Sequence, residues 1–401
     1  MNQCERLEFA PKTAEIVVIG GGIAGAASAF WLSRAGYHPL LIEREDDLAM
    51  ATTSASAHCI RAQFSEPENI TQMCESLAIY ENFAEILGLP ATGADIDLHQ
   101  QGYLFASTEP DETEAFAARV ARQRTLGLDD VELLDGDEIR RRYAWISPTV
   151  AIGAYRHGDG WIDGCKAARL FAAASGTDLL LSTEVSAIEC ANGMVTGVAT
   201  SKGTIATDQV VLAAGPFSAI LSPVPLPLTL LRRNRVIIAP DERIPQYGPL
   251  LIDANTGAHW RPHQGGALIA WAQQEKGGPP TWPVTPDPSF PDLVLKDPRG
   301  IARLSPFWHD IVPSLDAGSI YLTAGQYTVT PDHKPLIGPA PSVEGLWLNT
   351  GYSGHGIMGS ASGGRLLADI VRGTCTDPDQ PFAPGRFARE TKAPDVEQIV
   401  L

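Results

Sequence analysis

The chain has 401 residues, enough for two sizeable domains, and its 44% hydrophobic and 19% charged residues are ordinary for a globular enzyme. A net charge of −17 argues against nucleic acid or an anionic membrane surface as a partner. No apolar run approaches transmembrane length, and no signal peptide is recognisable, so we expect a cytoplasmic protein. The six scattered cysteines lack CxxC spacing, which predicts reduced thiols and no metal site.

Residues 16–25 form the most informative segment, because an apolar β-branched run leads into a glycine turn and then into a helical pattern. Gly20, Gly22 and Gly25 fall on the GxGxxG spacing. The first permits a tight turn, the second lets a pyrophosphate approach the backbone, and the third lets the helix pack close to the sheet. The predicted helix over residues 23–35 then offers free N–H groups and a positive dipole end to phosphates.

The next elements complete a dinucleotide-binding pattern. A second apolar run, residues 39–42, ends on Glu43, where such folds bind ribose hydroxyls. Strand, turn, helix, strand and acid thus come in the expected order, and the alternative is an ordinary βαβ unit with a chance glycine turn. No Gly-Lys-Ser/Thr follows the turn, which excludes a P-loop. The small residues of segment 51–57 are expected to lie close to a ligand.

The middle of the chain alternates helical and strand patterns. Hydrophobic spacing predicts helices over residues 69–87, 111–126, 137–143 and 165–175. Strands are expected at 103–106, 151–155, 179–181 and 184–189, with a hairpin of 194–200 and 203–207. Residues 209–215 are apolar throughout, which predicts a buried strand that returns to the dinucleotide sheet.

A proline-rich stretch at 223–227 marks entry into a second domain. Strands predicted at 234–238, 258–261 and 267–270 indicate an antiparallel sheet, and the proline-dense segment 277–291 is expected to be an irregular surface loop. Residues 301–311 are expected to be partly helical, and the chain re-enters the first domain near Tyr321. A last strand, glycine turn and helix follow over residues 347–371.

Four separated segments together resemble the D-amino-acid oxidase (DAO) family of flavoproteins, and within it the branch of sarcosine oxidase and dimethylglycine dehydrogenase. They are the glycine turn, Ile-Arg-Ala-Gln-Phe-Ser-Glu-Pro-Glu-Asn at 60–69, Tyr-Thr-Val-Thr-Pro-Asp-His-Lys-Pro-Leu-Ile-Gly at 327–338, and Gly-Tyr-Ser-Gly-His-Gly at 351–356. The resemblance runs from about residue 15 to about residue 372.

The resemblance implies an α/β fold with an α+β second domain. A Rossmann-like FAD-binding domain would comprise residues 1–90, 150–215 and 322–385. A substrate domain with a mostly antiparallel sheet would comprise 91–149 and 216–321, and residues 386–401 would form a C-terminal tail.

The resemblance also implies FAD as the cofactor. A helix N-terminus at 354–358 would stabilise the negative charge that a reduced flavin carries near N1 and O2. The implied FAD-binding residues are Gly20, Gly22, Ile23, Ala24, Gly25, Glu43, Arg44, Thr52, Thr53, Ser54, Ala55, Ser56, Val185, Ala213, Ala214, Gly215, Gly354, His355, Gly356, Ile357 and Met358.

Several positions depart from the family pattern. Gly325 and Ala55 stand where relatives attach flavin through cysteine or histidine, so we expect non-covalent FAD, with His58 and Cys59 as the remaining candidates for attachment. The strand 265–271 lacks the lysine that promotes reaction with oxygen, and Met358 replaces a substrate-binding lysine. Oxygen, a quinone or an electron-transfer partner therefore remain alternatives as electron acceptor, and a dehydrogenase is expected at least as much as an oxidase.

The implied reaction is oxidation of the C–N bond of an amine, amino acid or N-methyl amino acid by hydride transfer to flavin N5, giving an imine that water hydrolyses. Arg61 matches a family arginine that pairs with the substrate carboxylate, a task that suits a guanidinium fork. The alternative for Arg61 is a structural ion pair, for example with Glu66.

Four further residues are candidates for the active site. His259 and Arg261 alternate with His263 on one predicted strand face, and they are expected either to bind an anionic substrate or to be solvated. His355 is expected to hydrogen-bond flavin or substrate, or else to be structural in its glycine turn. Tyr327 is expected to flank the flavin or to pack in the core.

Three other functions are alternatives to amine oxidation. The same fold also supports oxidation of a 2-hydroxy acid, because fold does not decide chemistry. Some relatives with the Ile-Arg-x-Gln-Phe-Ser segment serve as assembly or scaffold partners with little turnover. An NAD-dependent dehydrogenase is the remaining alternative.

Overall fold

The computed structural model describes residues 5–272, 276–389 and 397. The strands are β1 (Ile16–Ile19), β2 (Pro39–Ile42), β3 (Cys59–Ile60), β4 (Tyr103–Ser107), β5 (Glu132–Asp135), β6 (Ile152–Arg156), β7 (Gly160–Trp161), β8 (Asp178–Leu180), β9 (Val185–Ala191), β10 (Met194–Thr200), β11 (Gly203–Ala206), β12 (Val210–Leu212), β13 (Thr229–Ile238), β14 (Leu250–Asp253), β15 (Ala258–His263), β16 (Gly266–Trp271), β17 (Ile320–Val329), β18 (Leu336–Pro339) and β19 (Leu346–Thr350). The helices are α1 (Ile23–Arg34), α2 (Pro67–Glu81), α3 (Phe83–Leu87), α4 (Thr113–Thr125), α5 (Gly136–Arg142), α6 (Gly164–Ser175), α7 (Ser218–Leu221), α8 (Phe290–Lys296), α9 (Trp308–Ile311), α10 (Gly356–Val371) and α11 (Arg386–Arg389).

A six-stranded sheet has the order β18-β19-β12-β1-β2-β8 and is parallel except for β18. Strand β12 pairs with β1, which confirms that the apolar run after residue 209 returns to the dinucleotide sheet. The chain leaves β1 toward β2 on one side, while β12 lies on the other side. This reversal of strand order opens a crevice beyond the carboxyl ends of the strands.

Helices and a small sheet cover the two faces of this parallel sheet. On one face α1 packs between α6 and α10, and the indole N–H of Trp31 donates to the carbonyl of Ala361 at 2.9 Å. On the other face, β11, β10 and β9 form a three-stranded sheet whose Val198 and Ile205 share a buried cluster with Val17 of β1. Both faces are therefore buried, which explains the continuous apolar runs in the strands.

A second, eight-stranded sheet has the order β17-β13-β16-β15-β14-β4-β6-β5. Its pairs are antiparallel except for β14 with β4, as the predicted mostly antiparallel sheet requires. Strands β6 and β17 belong to this sheet, although the predicted boundaries assign their sequence largely to the first domain. The chain therefore returns to the parallel sheet only after Val329, and the predicted return near Tyr321 is too early.

The predicted helix over residues 69–87 is in fact two helices. Asn82 leaves the helical conformation with φ −108° and ψ 28°, and its side-chain amide donates to the carbonyl of Ala78 at 2.9 Å. Asparagine competes with the helix backbone for hydrogen bonds, so the break is local in origin. Hydrophobic spacing continues across it because α2 and α3 bury the same side, and spacing alone therefore did not locate the break.

Candidate functional site

A cleft of about 270 Å³ lies at the carboxyl ends of β1, β2 and β12 and extends to β17 and the start of α10. It lies between the parallel sheet and the eight-stranded sheet. The residues expected to bind FAD that line it are Gly20, Gly22, Ile23, Ala24, Glu43, Arg44, Thr52, Thr53, Ser56, Val185, Ala213, Ala214, Gly215, Gly354, Gly356 and Ile357. Tyr327 lines it as well.

The other predicted site residues do not line this cleft. They are Gly25, Ser54, Ala55, His355 and Met358 among the expected cofactor contacts, and Arg61, His259 and Arg261 among the expected catalytic residues. Each lies near a lining residue or supports one, as described below for the residues that carry the argument.

The glycine turn brings α1 close to the sheet. Gly20 has φ +106°, and a Cβ there would lie 2.6 Å from the carbonyl oxygen of Ala213. A Cβ on Gly25 would overlap the carbonyl of Gly20, so Gly25 serves the close packing of helix on turn. The N-cap of α1 is Gly22, which has no side chain to cap the helix, and the first turn of α1 contains no acidic residue. The N-terminus of α1 therefore presents backbone N–H groups to the cleft.

Glu43 follows β2, and its side chain contacts the backbone of the glycine turn. Its Oε2 accepts the N–H of Gly21 at 2.6 Å, and its Oε1 accepts the N–H of Glu45 at 3.0 Å. Burial raises the pKa of the carboxyl, and these backbone bonds oppose that effect by favouring the charged form. The carboxylate is thereby fixed at the end of β2, where a ribose hydroxyl can donate to it.

The small-residue segment runs along the cleft as its composition predicts. The Oγ1 of Thr53 accepts the N–H of Ile23 at 3.2 Å, which ties the segment to the start of α1. Ser54 turns its hydroxyl to the carbonyls of the preceding turn, at 2.7 Å from Met50. A Cβ on Gly325 would lie 2.9 Å from the Cβ of Ala55, so these two positions pack directly against each other.

The start of α10 forms the far end of the cleft. Gly354 has φ +96°, and a side chain there would overlap the ring of Tyr327. Gly356 and Ile357 line the cleft, and no side chain within the described residues caps the helix. A helix N-terminus with free N–H groups is thus directed at the end of the cleft, where it stabilises negative charge.

His355 lies behind this turn. Its ring packs edge-on against Phe64, with 5.3 Å between centroids. Burial lowers the pKa of the imidazole to about 3, with a further contribution from Arg61, so the ring is neutral near pH 7. Nε2 has no hydrogen-bond partner within the described part of the chain.

Arg61 is buried, with 2% of its surface exposed. Its guanidinium stacks on Phe64 at 3.9 Å from the ring centroid and donates to the carbonyl of Gln63. Asp159 fixes this segment by accepting the N–H of Ala62 at 2.9 Å. Burial lowers the pKa of Arg61, which nevertheless stays charged.

Glu66 was the example considered as an ion-pair partner for Arg61. In the structure its Oε1 lies 3.7 Å from a guanidinium nitrogen of Arg122.

His259 and Arg261 share a face of β15, as predicted, but this face is buried. His259 donates from Nδ1 to the carbonyl of Gly257 at 2.9 Å, and burial lowers its pKa. Arg261 donates from Nε to the carbonyl of Ala57 at 3.0 Å, so it supports the segment that lines the cleft. The alternative of a solvated strand face is therefore wrong for both residues.

The candidates for covalent attachment also point away from the cleft. His58 Nδ1 accepts the N–H of Gly164 at 3.0 Å, and the Cys59 thiol donates to the carbonyl of Ala57 at 3.3 Å. Neither side chain lines the cleft. Since Gly325 offers no nucleophile, this arrangement fits a non-covalent cofactor.

Sequence reasoning missed two parts of the site. Thr281, Trp282 and Val284 line the cleft, so the segment predicted to be a surface loop is one of its walls. Glu397 lies in the segment expected to be a tail, yet its carboxylate accepts the N–H groups of Ser65 and Glu66 at 2.8 and 3.0 Å. Neither placement leaves a local signal in sequence, because both depend on contacts with distant segments.

Within the described residues, no group of three or more His, Cys, Asp or Glu side chains is arranged to hold a metal ion. In the same part of the chain no helix combines the length and apolar character needed to cross a membrane.

Comparison with known proteins identifies relatives of the whole chain. The DAO family of FAD dependent oxidoreductases matches residues 15–370. The chain is similar to glycine oxidase of Pseudomonas aeruginosa, at 29% identity over 92% of this chain and 98% of that protein. It is also similar to mitochondrial dimethylglycine dehydrogenase of Homo sapiens, at 24% identity over 89% of this chain and 42% of that protein. Among solved structures, L-proline dehydrogenase from P. horikoshii has a TM-score of 0.81 at 27% identity, covering 95% of this chain and 99% of that one.

Proposed function

Because the chain belongs to the DAO family of FAD-dependent oxidoreductases, we propose that it oxidises the C–N bond of a carboxylate-bearing amine, either an amino acid or an N-methyl amino acid. The predicted family and its sarcosine-oxidase-like branch are confirmed by the similarity to glycine oxidase and dimethylglycine dehydrogenase. The coarser activity, oxidation of amines or amino acids with FAD, is common to these relatives. The bond, the carboxylate and the residue roles below are our proposal.

The cleft suits FAD along its whole length. The β1–α1 turn would hold the diphosphate on backbone N–H groups, because a Cβ is missing where the backbone must come close. Glu43 would accept the ribose hydroxyls, and Val185 lines the same end of the cleft. Tyr327 and the Gly354–Gly356 turn would flank the flavin at the other end.

When bound, FAD supplies a two-electron acceptor at N5, so the chain needs no strong base of its own. The N-terminus of α10 would stabilise the negative charge that collects on the pyrimidine edge. The buried aromatic side chains around Arg61 exclude water from the reacting C–H bond. Water is needed only afterwards, to hydrolyse the imine product.

The position of Arg61 is the observation that carries the proposal. It stacks on Phe64, Phe64 packs on His355, and His355 lies within the turn that ends the cleft. A buried cation thus lies two side chains away from the predicted flavin position. A guanidinium binds a carboxylate bidentately, and at such a site it would place the α-carbon of an amino acid toward the cleft.

The Arg61→Gln variant tests this role. We expect KM for an amino-acid substrate to rise by roughly 10- to 150-fold, because a charge-assisted contact contributes about 1.5–3 kcal/mol. The same variant should retain FAD, measured by its absorbance after gel filtration. Arg61→Lys keeps the charge but lacks the planar guanidinium, so its KM should lie between those of the unaltered protein and of Arg61→Gln.

An amine without a carboxylate is the matched substrate control, since it gains nothing from Arg61. If Arg61→Gln raised KM by the same factor for the amine and for the amino acid, relative to the unaltered protein, the proposed carboxylate contact would be contradicted.

A further inference from the structure

The proline-rich strap, residues 277–288, forms an outer wall of the cleft. Thr281, Trp282 and Val284 line the cleft, as do Ile220 and Leu221. The strap connects β16 to α8 without secondary structure of its own. A segment without regular hydrogen bonding can close a cleft only if other contacts hold it in place.

Gln326 of β17 holds the middle of the strap. Its Nε2 donates to the carbonyl of Pro279 at 2.8 Å, and its Oε1 accepts the N–H of Thr281 at 2.9 Å. The side chain is 6% exposed, so both bonds are sheltered from water. One amide therefore satisfies an acceptor and a donor on either side of Pro280.

Strand β13 holds both ends of the strap. The N–H of Gly278 donates to the carbonyl of Leu230 at 3.1 Å, and the N–H of Asp287 donates to Oδ1 of Asn234 at 2.8 Å. Proline restricts the backbone in the unfolded chain as well as in the folded one, so ordering the strap costs less conformational entropy. The prolines of the strap are at positions 279, 280, 283, 286 and 288.

We propose that the proline-rich strap is a cofactor-retaining element, which Gln326 positions over FAD in the cleft and to which Trp282 contributes an apolar surface. Gln326 also lines the cleft, but both polar atoms of its amide are engaged with Pro279 and Thr281, so we assign it a positioning role toward the strap. The inference rests on FAD occupying the cleft, and it does not depend on which substrate is oxidised. FAD then leaves only when the strap opens, so contacts that hold the strap set the rate of release.

The Gln326→Leu variant removes both amide bonds at nearly constant side-chain volume. We expect FAD to dissociate about tenfold faster, because two hydrogen bonds of ordinary net strength are lost. Release is measured by stopped-flow mixing of the holoenzyme with an excess of a second apoprotein that binds FAD and captures it once released, with flavin fluorescence as the signal. Trp282→Ala, which leaves the Gln326 bonds in place, should also accelerate release.

Gln246→Leu is the matched control. Gln246 also joins a loop to the eight-stranded sheet, donating to Ile244 and Gly266 and accepting from Gly265, but it lies outside the cleft. Comparable loss of stability with unchanged FAD release is the result expected for this control. Equal release rates in Gln326→Leu and Gln246→Leu would overturn the proposal.

Hydrogen exchange in the unaltered protein provides a test that needs no variant. FAD binding should slow exchange in the peptide spanning 277–288, whose Gly278, Thr281 and Asp287 amides donate to the sheet, relative to protein stripped of FAD. The peptide spanning 241–248 should exchange equally in both forms. FAD that binds without protecting the strap would contradict the inference while leaving the proposed reaction intact.

Discussion

Arg61 and His355 are both buried polar residues, but burial has opposite consequences for their charge near pH 7. Arg61 keeps its charge although burial lowers its pKa, because no accessible pH neutralises a guanidinium. His355 loses its charge, because an imidazole gives up its proton more readily than it remains buried as a cation. The sequence placed both residues near the site, but their burial follows from packing that no single segment determines.

The pKa of His355 predicts that stability depends on pH. The unfolded imidazole takes up a proton near pH 6.5, whereas the folded one does so only near pH 3. The unfolded state therefore binds more protons between these values, and the free energy of unfolding should fall as pH falls. The slope contributed by this histidine is about 1.4 kcal/mol per pH unit well below pH 6.5.

Urea unfolding between pH 6.5 and 4.5 measures this slope. The His355→Gln variant should show a slope smaller by about one proton, because glutamine does not titrate. His309→Gln is the control variant, since His309 is exposed on α9. An unchanged slope in His355→Gln would show that the imidazole is protonated in the folded protein.

The β1–α1–β2 element was predictable because each of its parts has a local cause. An apolar run, a glycine turn, a helical pattern and an acid lie within thirty residues, and they form the expected strands, helix and turn. Strand β14 (Leu250–Asp253) was missed, although Gly248-Pro249 before it and Asn255-Thr256-Gly257 after it are turn residues. No strand was predicted at β17, whose long pairing with β13 joins segments about 90 residues apart.

Two glycine substitutions separate the effect of backbone strain from the effect of filling the glycine turn before α1. Gly20→Ala and Gly36→Ala both place a side chain at positive φ, +106° and +98°, which costs roughly 1–2 kcal/mol of stability in each case. At Gly20 the new Cβ also contacts the backbone of Ala213, whereas a Cβ added at Gly36 has nothing within 4 Å. We expect both variants to unfold at lower temperature in calorimetry and only Gly20→Ala to lose FAD.

Retention of FAD is measured as the ratio of flavin to protein absorbance after gel filtration. A full flavin content in Gly20→Ala, or an equal loss in Gly36→Ala, would disprove the role of the turn in holding the diphosphate.

At the scale of the whole molecule, the cleft exists because two sheets face each other. The resemblance to a family predicted both sheets, and most of the FAD contacts that it implied line the cleft. It did not predict that the proline-rich strap lines the cleft or that Glu397 returns to the start of α2. These contacts join segments separated by 45 to more than 300 residues, and a pattern in one segment carries no information about its distant partner.

The proposed function requires that FAD in this cleft is reduced by a carboxylate-bearing amine. It is tested most directly by mixing the purified holoenzyme, without air, with amino acids, N-methyl amino acids, simple amines and 2-hydroxy acids, and recording flavin absorbance near 450 nm. We expect bleaching by at least one amino acid or N-methyl amino acid, much slower bleaching by its decarboxylated analogue, and none by hydroxy acids. Bleaching by a 2-hydroxy acid alone, or a bound flavin that none of these compounds reduces, would contradict it.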